Sequence, residues 1–122
     1  MQPRSAILKL LREGKHLAAE LPHSAAGYRT FIGVYPLDLS SERSRAFLKS
    51  IGIDVFPNHG HAYHSRRFTI HRSLIDASAE EPDLLSKVSL VAFSESELVD
   101  QLDQLGASLE ALDLPDRCEY PI

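Results

Sequence analysis

The chain has one cysteine, Cys118, in 122 residues. A lone thiol excludes an intramolecular disulfide framework and a Cys-rich zinc site, and it fits a reducing compartment. Phosphate-cradling loops are missing as well. Neither GxGxxG nor GxxxxGK followed by Ser or Thr occurs, so nucleotide binding has no motif behind it, and no GxSxG elbow presents a nucleophilic serine. Long apolar runs are also absent. The richest stretch, "SAILKLLREGKHLAAELP", is interrupted by Arg12, Glu13, Lys15 and His16 before it could span a bilayer or serve as the apolar part of a secretory signal. The expectation is a soluble, unexported, cytoplasmic protein with no membrane partner. No internal repeat or Gly/Ser linker divides the chain, and its length allows one modest core, so residues 1–122 read as a single domain.

What is present is ordinary in amount and unusual in placement. The net charge of -4 conceals two halves of opposite sign. Residues 1–75 carry eleven Lys or Arg against five Asp or Glu, whereas residues 76–122 carry two against twelve. An acidic C-terminal third argues against nucleic acid as a partner there and suits a basic protein surface, because such fields steer encounter. A solvated acidic face with no partner has the same composition.

Periodicity orders the elements. Ile7, Leu11, Gly14, Ala18 and Leu21 recur at three- and four-residue steps, which predicts an amphipathic helix over about 5–21 that stops before Pro22. "YRTFIGVYP" reads as a buried strand from Tyr28 to Tyr35. Helical spacing returns in "LDLSSERSRAFLKSIG", with Phe47, Leu48 and Ile51 as its stripe and Gly52 beyond its end. "IDVF" and "HAYHSRRFTIHRSL" flank the turn residues "PNHG" and suggest a hairpin, and "ASAEEPDLLSK" reads as loop or a helical turn. "VSLVAF" reads as a strand. Ser94 and Glu97 then form the capping box of a helix over about 95–105, with Leu98, Leu102 and Leu105 as its stripe and Gly106 as its stop. The order predicts an α+β or α/β fold, a single layer of three or four strands packed against helices, with strand order open.

The stretch "PNHGHAYHSRRFTIHRS" gathers His59, His61, His64 and His71 with Arg66, Arg67 and Arg72. Metal binding needs ligands that converge. On a strand, however, His61 and His71 share one face with Tyr63, Arg67 and Thr69, and His64 shares the other with Arg66, Phe68 and Ile70. No Asp in the stretch completes a constellation, and the arginines repel a divalent cation. The reading is therefore no metal, no cofactor and no catalytic residue. Arg66, Arg67 and Arg72 are expected to meet protein, within the chain or across an interface, since RNA near them would also feel the acidic third. A small histidine-dependent phosphodiesterase or metal-dependent hydrolase using His59, His61, His64 and His71 is the alternative.

"LVAFSESELVDQLDQLGASLEALDLPDRCEYPI" strings together a strand, a capped acidic helix, a leucine-containing turn, "LDLP" and a closing "YPI". It resembles the C-terminal ends of small cytoplasmic immunity proteins from bacterial toxin–immunity systems, and among them those of contact-dependent growth inhibition; "FIGVYPLDL" is compatible with the same layout. The resemblance implies a non-enzymatic protein that binds and neutralises a cognate toxin domain, often a nuclease, whose basic active-site surface an acidic inhibitor complements. It carries over no binding residue. Those come from helical geometry: Leu98, Leu102 and Leu105 face the core, which turns Glu97, Asp100, Asp103 and Gln104 outward as the expected partner surface, with Glu95 and Glu110 flanking.

Overall fold

A computed structural model describes residues 3–22, 25–75 and 84–121. It is an α+β fold. Helix α1 (Arg4–Arg12) leads into strands β1 (Leu17–Leu21) and β2 (Tyr28–Asp38); helix α2 (Glu42–Ser50) follows, then β3 (His61–His71), β4 (Leu85–Ala92) and helix α3 (Glu95–Gln104). The strands form one antiparallel sheet in the order β1-β2-β3-β4.

The N-terminal helix is shorter than its periodicity predicts. It ends at Arg12, where Gly14 takes φ +85° and the amides of Gly14 and Lys15 donate to the carbonyls of Leu11 and Leu10. That pair of bonds is a Schellman stop, for which glycine carries the smallest steric cost. Leu17–Leu21, expected to continue the helix, is instead an edge strand. Its apolar residues suit either period, and pairing with Thr30–Val34 of β2 satisfies their backbone groups. On the outer edge of β1, Ala18 exchanges two backbone hydrogen bonds with Asp113.

The expected hairpin around "PNHG" is also replaced. "IDVF" forms no strand, because the partner of β3 is β2, paired along all eleven residues from Tyr28 opposite His71 to Asp38 opposite His61. Ile53 and Phe56 pack with α2 as loop residues. The strand beginning at Tyr28 runs through Pro36 to Asp38, beyond the expected Tyr35. Of the expected α2 stripe, Leu48 is buried and Ile51 is 46% exposed. The loop expected at Ala77–Lys87 lies outside the described residues as far as Asp83, and from Leu85 it is already β4.

Both faces of the sheet are covered. On one, Leu17, Ala19, Leu21, Ile32, Val34, Tyr63 and Ala92 meet Ile7 and Leu11 of α1 and Leu98 and Leu102 of α3. On the other, Phe31, Phe68 and Ile70 lie under Cys118 and Tyr120 of the C-terminal tail, while Leu39 and Ala62 lie under α2. Gly33 makes the tail's approach possible. A Cβ there would overlap the Tyr120 hydroxyl and come within 3.2 Å of His16 Nε2. Without it, the Tyr120 and Tyr35 hydroxyls meet at 2.6 Å and His16 stacks on Tyr35 at 4.0 Å between centroids. Arg29 adds a clamp: it pairs with Glu20 at 2.7 Å and with Glu119 of the tail at 3.6 Å.

Two outcomes follow from this packing. Gly33→Ala should lower unfolding stability by about 1–3 kcal/mol in urea titration, and that cost should shrink in a Tyr120→Ala background, where the tail side chain no longer occupies the space. Equal costs in both backgrounds would remove the tail as the cause. Burial holds His16 at a pKa of about 4, against 6.5 for a free histidine, and burial together with Arg66 also lowers His64. The unfolded chain then binds more protons between those two values, so stability should fall as pH drops from 6.5 towards 4. His16→Phe should reduce that slope.

Candidate functional site

Among the described residues of the acidic third, helix α3 carries three exposed carboxylates, Glu97, Asp100 and Asp103. Ser94 begins it: its Oγ accepts from the Glu97 amide at 3.1 Å, and Glu97 Oε1 accepts from the Phe93 amide at 3.2 Å. Two orphan donors are thereby satisfied, and both Glu95 and Glu97 sit in the first turn, where the helix dipole favours negative charge. Leu98, Leu102 and Leu105 are buried, as their spacing predicts. Gln101 ties the helix to the sheet by donating from Nε2 to the Val91 carbonyl at 2.9 Å. With one side so anchored, Glu97, Asp100, Asp103 and Gln104 are all exposed on the other.

Glu95 and Glu110 have different duties. Arg12 of α1 donates to both Glu95 oxygens, from Nε at 2.9 Å and Nη2 at 2.8 Å, and Arg4 donates to Glu110 Oε1 at 2.8 Å. Each is half-buried. These pairs fasten α1 to α3 and to the 3-10 turn at Leu109–Ala111, and they neutralise the rim of the acidic surface. The hydrogen bond to Glu95 raises the already high pKa of Arg12, and a bond from its own backbone amide, followed by that from Arg4, holds Glu110 below the usual carboxylate value. The outward charge of α3 is therefore carried by Glu97, Asp100 and Asp103. Of these, Glu97 also serves the helix cap.

The His/Arg stretch is dispersed by its strand. His61 and His71 stand at opposite ends of β3, and His59 is exposed in the preceding turn, with Nδ1 3.2 Å from Asn58 Oδ1. His71 Nδ1 is 2.7 Å from Ser73 Oγ and accepts from the Ser73 amide. His64 faces the other side of the sheet, between Phe47 and Tyr35. Among the described residues no three of His, Cys, Asp and Glu gather as a metal site would require. The arginines separate too. Arg66 stacks at 5.6 Å over Phe68, and Arg67 leaves the opposite face of β3; Arg72, past the end of the strand, adds to the hydrogen-bonded Arg29 in lowering the pKa of Glu20.

Two features escaped the periodicity. One is the Arg4 and Arg12 pairing, which depends on α1 lying beside α3 and has no local signal beyond the opposite charges. The other is the packing of His16 under the tail, 104 residues away in sequence from Tyr120. Cys118 is half-buried, and burial raises its thiol pKa, the reverse of what a nucleophile needs. Among the described residues no helix is long and apolar enough to cross a membrane. No family model matches the chain, and neither a curated protein nor a solved structure does.

Proposed function

We propose that this chain is a non-catalytic binding protein, an immunity protein that captures and neutralises one cognate toxin domain through the exposed face of α3. The observation that carries this reading is a fixed acidic surface: Glu97, Asp100 and Asp103 project from a helix whose opposite side is locked by Leu98, Leu102 and Leu105. A rigid charged face loses little conformational entropy on docking and accelerates encounter with a surface of opposite sign. A nuclease offers such a surface, since the groove that holds a phosphate backbone is basic. Covering that groove excludes substrate without any chemistry from the inhibitor. The pairing of Arg12 with Glu95 suits this role by keeping α3 against α1, and that of Arg4 with Glu110 holds the following 3-10 turn.

The histidine-dependent alternative draws no support from the geometry, which spreads His59, His61, His64 and His71 along one strand and its flanking turn. The test is titration against a toxin domain encoded beside the chain's own gene. Asp100→Lys, Asp103→Lys and Gln104→Lys together should weaken binding by about tenfold or more and flatten its salt dependence, with circular dichroism unchanged because none of the three serves the cap. Unchanged affinity would remove the α3 face from the interface, and a neighbouring gene that encodes no toxin would count against the reading as a whole.

A further inference from the structure

The sheet has two edges, and the fold treats them differently. On the outer side of β1, Ala18 exchanges backbone hydrogen bonds in both directions with Asp113, and the exposed Glu20 adds a charge. Strand β4 ends the sheet on the other side, and among the described residues no strand pairs with its outer side. From Leu85 to Ser89 every residue is exposed, including two apolar ones, Leu85 at 47% and Val88 at 41%. The outer side of a terminal strand is a template for another strand. Two features limit how much of β4 can serve. Ser86 takes φ +50° where the β3–β4 register shifts, so the regular ladder runs from Val88 to Ala92. At its far end the Val91 carbonyl already accepts from Gln101 Nε2. The regular and open part of the edge is therefore centred on Ser89.

We propose that this edge pairs antiparallel with the same edge of a second copy of the chain, with Ser89 facing Ser89 across a twofold axis, so that the two sheets become one. Residues directly opposite in an antiparallel pair send their side chains to the same face. Val88 of each copy then meets Leu90 of the other on the face that carries α3, where Leu90 already packs against the core. The single charge of β4, Lys87, falls opposite Val91, so this register sets no like charges against each other. That match is what favours a second copy over a foreign strand: the apolar residue exposed on one copy finds an apolar residue on the other, and one sequence supplies both sides of an isologous contact. The contact is short beside those of obligate dimers, which places the equilibrium in the micromolar range. It uses none of Glu97, Asp100, Asp103 or Gln104, so it stands or falls independently of the toxin-binding reading.

The experiment is sedimentation velocity of the full chain between about 1 μM and about 200 μM, with two sets of variants. The wild type should pass from monomer to dimer across that range. Val88→Lys, at an exposed position, should raise the dissociation constant about tenfold or more with circular dichroism unchanged. In a Cys118→Ser background, Ser89→Cys should form an intermolecular disulfide under mild oxidation, because directly opposite residues lie within disulfide reach. Lys87→Cys, whose counterpart in the other copy lies opposite Val91, should not. A monomer at every concentration, a dimer that Val88→Lys leaves intact, or equal cross-linking by Ser89→Cys and Lys87→Cys would overturn the proposal. So would β4 amides that gain protection from hydrogen exchange only when the toxin domain is added, since the edge would then belong to a strand of the toxin.

Discussion

Between Thr30 and Val34, strand β2 buries five consecutive residues, so both faces of the sheet have to be covered. A chain of 122 residues has few elements to do this with. Helices α1 and α3 take one face and use their apolar stripes there, which leaves their polar sides outward. The other face falls to α2 and the C-terminal tail, neither of which is large. The tail reaches the sheet only because Gly33 has no side chain, and it is retained by the Tyr35–Tyr120 hydroxyl contact and by Arg29. One surface feature is a consequence of the same constraint: the acidic side of α3 is what remains when its leucines are used.

Charge is sorted by the fold as well as by the sequence. The basic first half and acidic last third meet along α1 and α3, where Arg12 and Arg4 pair with Glu95 and Glu110. Surface pairs of this kind contribute little stability individually. The apolar packing of Ile7 and Leu11 with Leu98 and Leu102 brings α1 beside α3, and the pairs then occupy Glu95 and Glu110, leaving Glu97, Asp100 and Asp103 as the outward carboxylates of α3. His64 and Arg66 leave the opposite face of the sheet, away from α3.

How much of this was legible depended on the range of the interaction. Helix α3 was readable in nearly every detail, because the capping box, the leucine stripe and Gly106 are all local signals. Strand parity likewise separated His64 from His61 and His71. The first helix was overextended because Leu17, Ala19 and Leu21 fit two periods, and Gly14 was absorbed into the helical stripe although it is the stop. The false hairpin had the same origin: turn residues at "PNHG" were local and visible, whereas the pairing of β3 with β2 spans a connection that contains α2. The ring contact of Phe47 with His64 joins α2 to β3, and no stretch of sequence places those two side chains together.

The central claim is that the exposed side of α3 is the surface on which a basic protein partner docks. The most direct measurement is amide and side-chain NMR of the labelled chain, free and bound to the toxin domain encoded beside it. The account predicts that the largest changes fall on Glu97, Asp100, Asp103 and Gln104, with the side-chain amide of Gln104 protected and the β4 edge unaffected. Changes concentrated at His64, Arg66 and Lys87 with α3 undisturbed would contradict it.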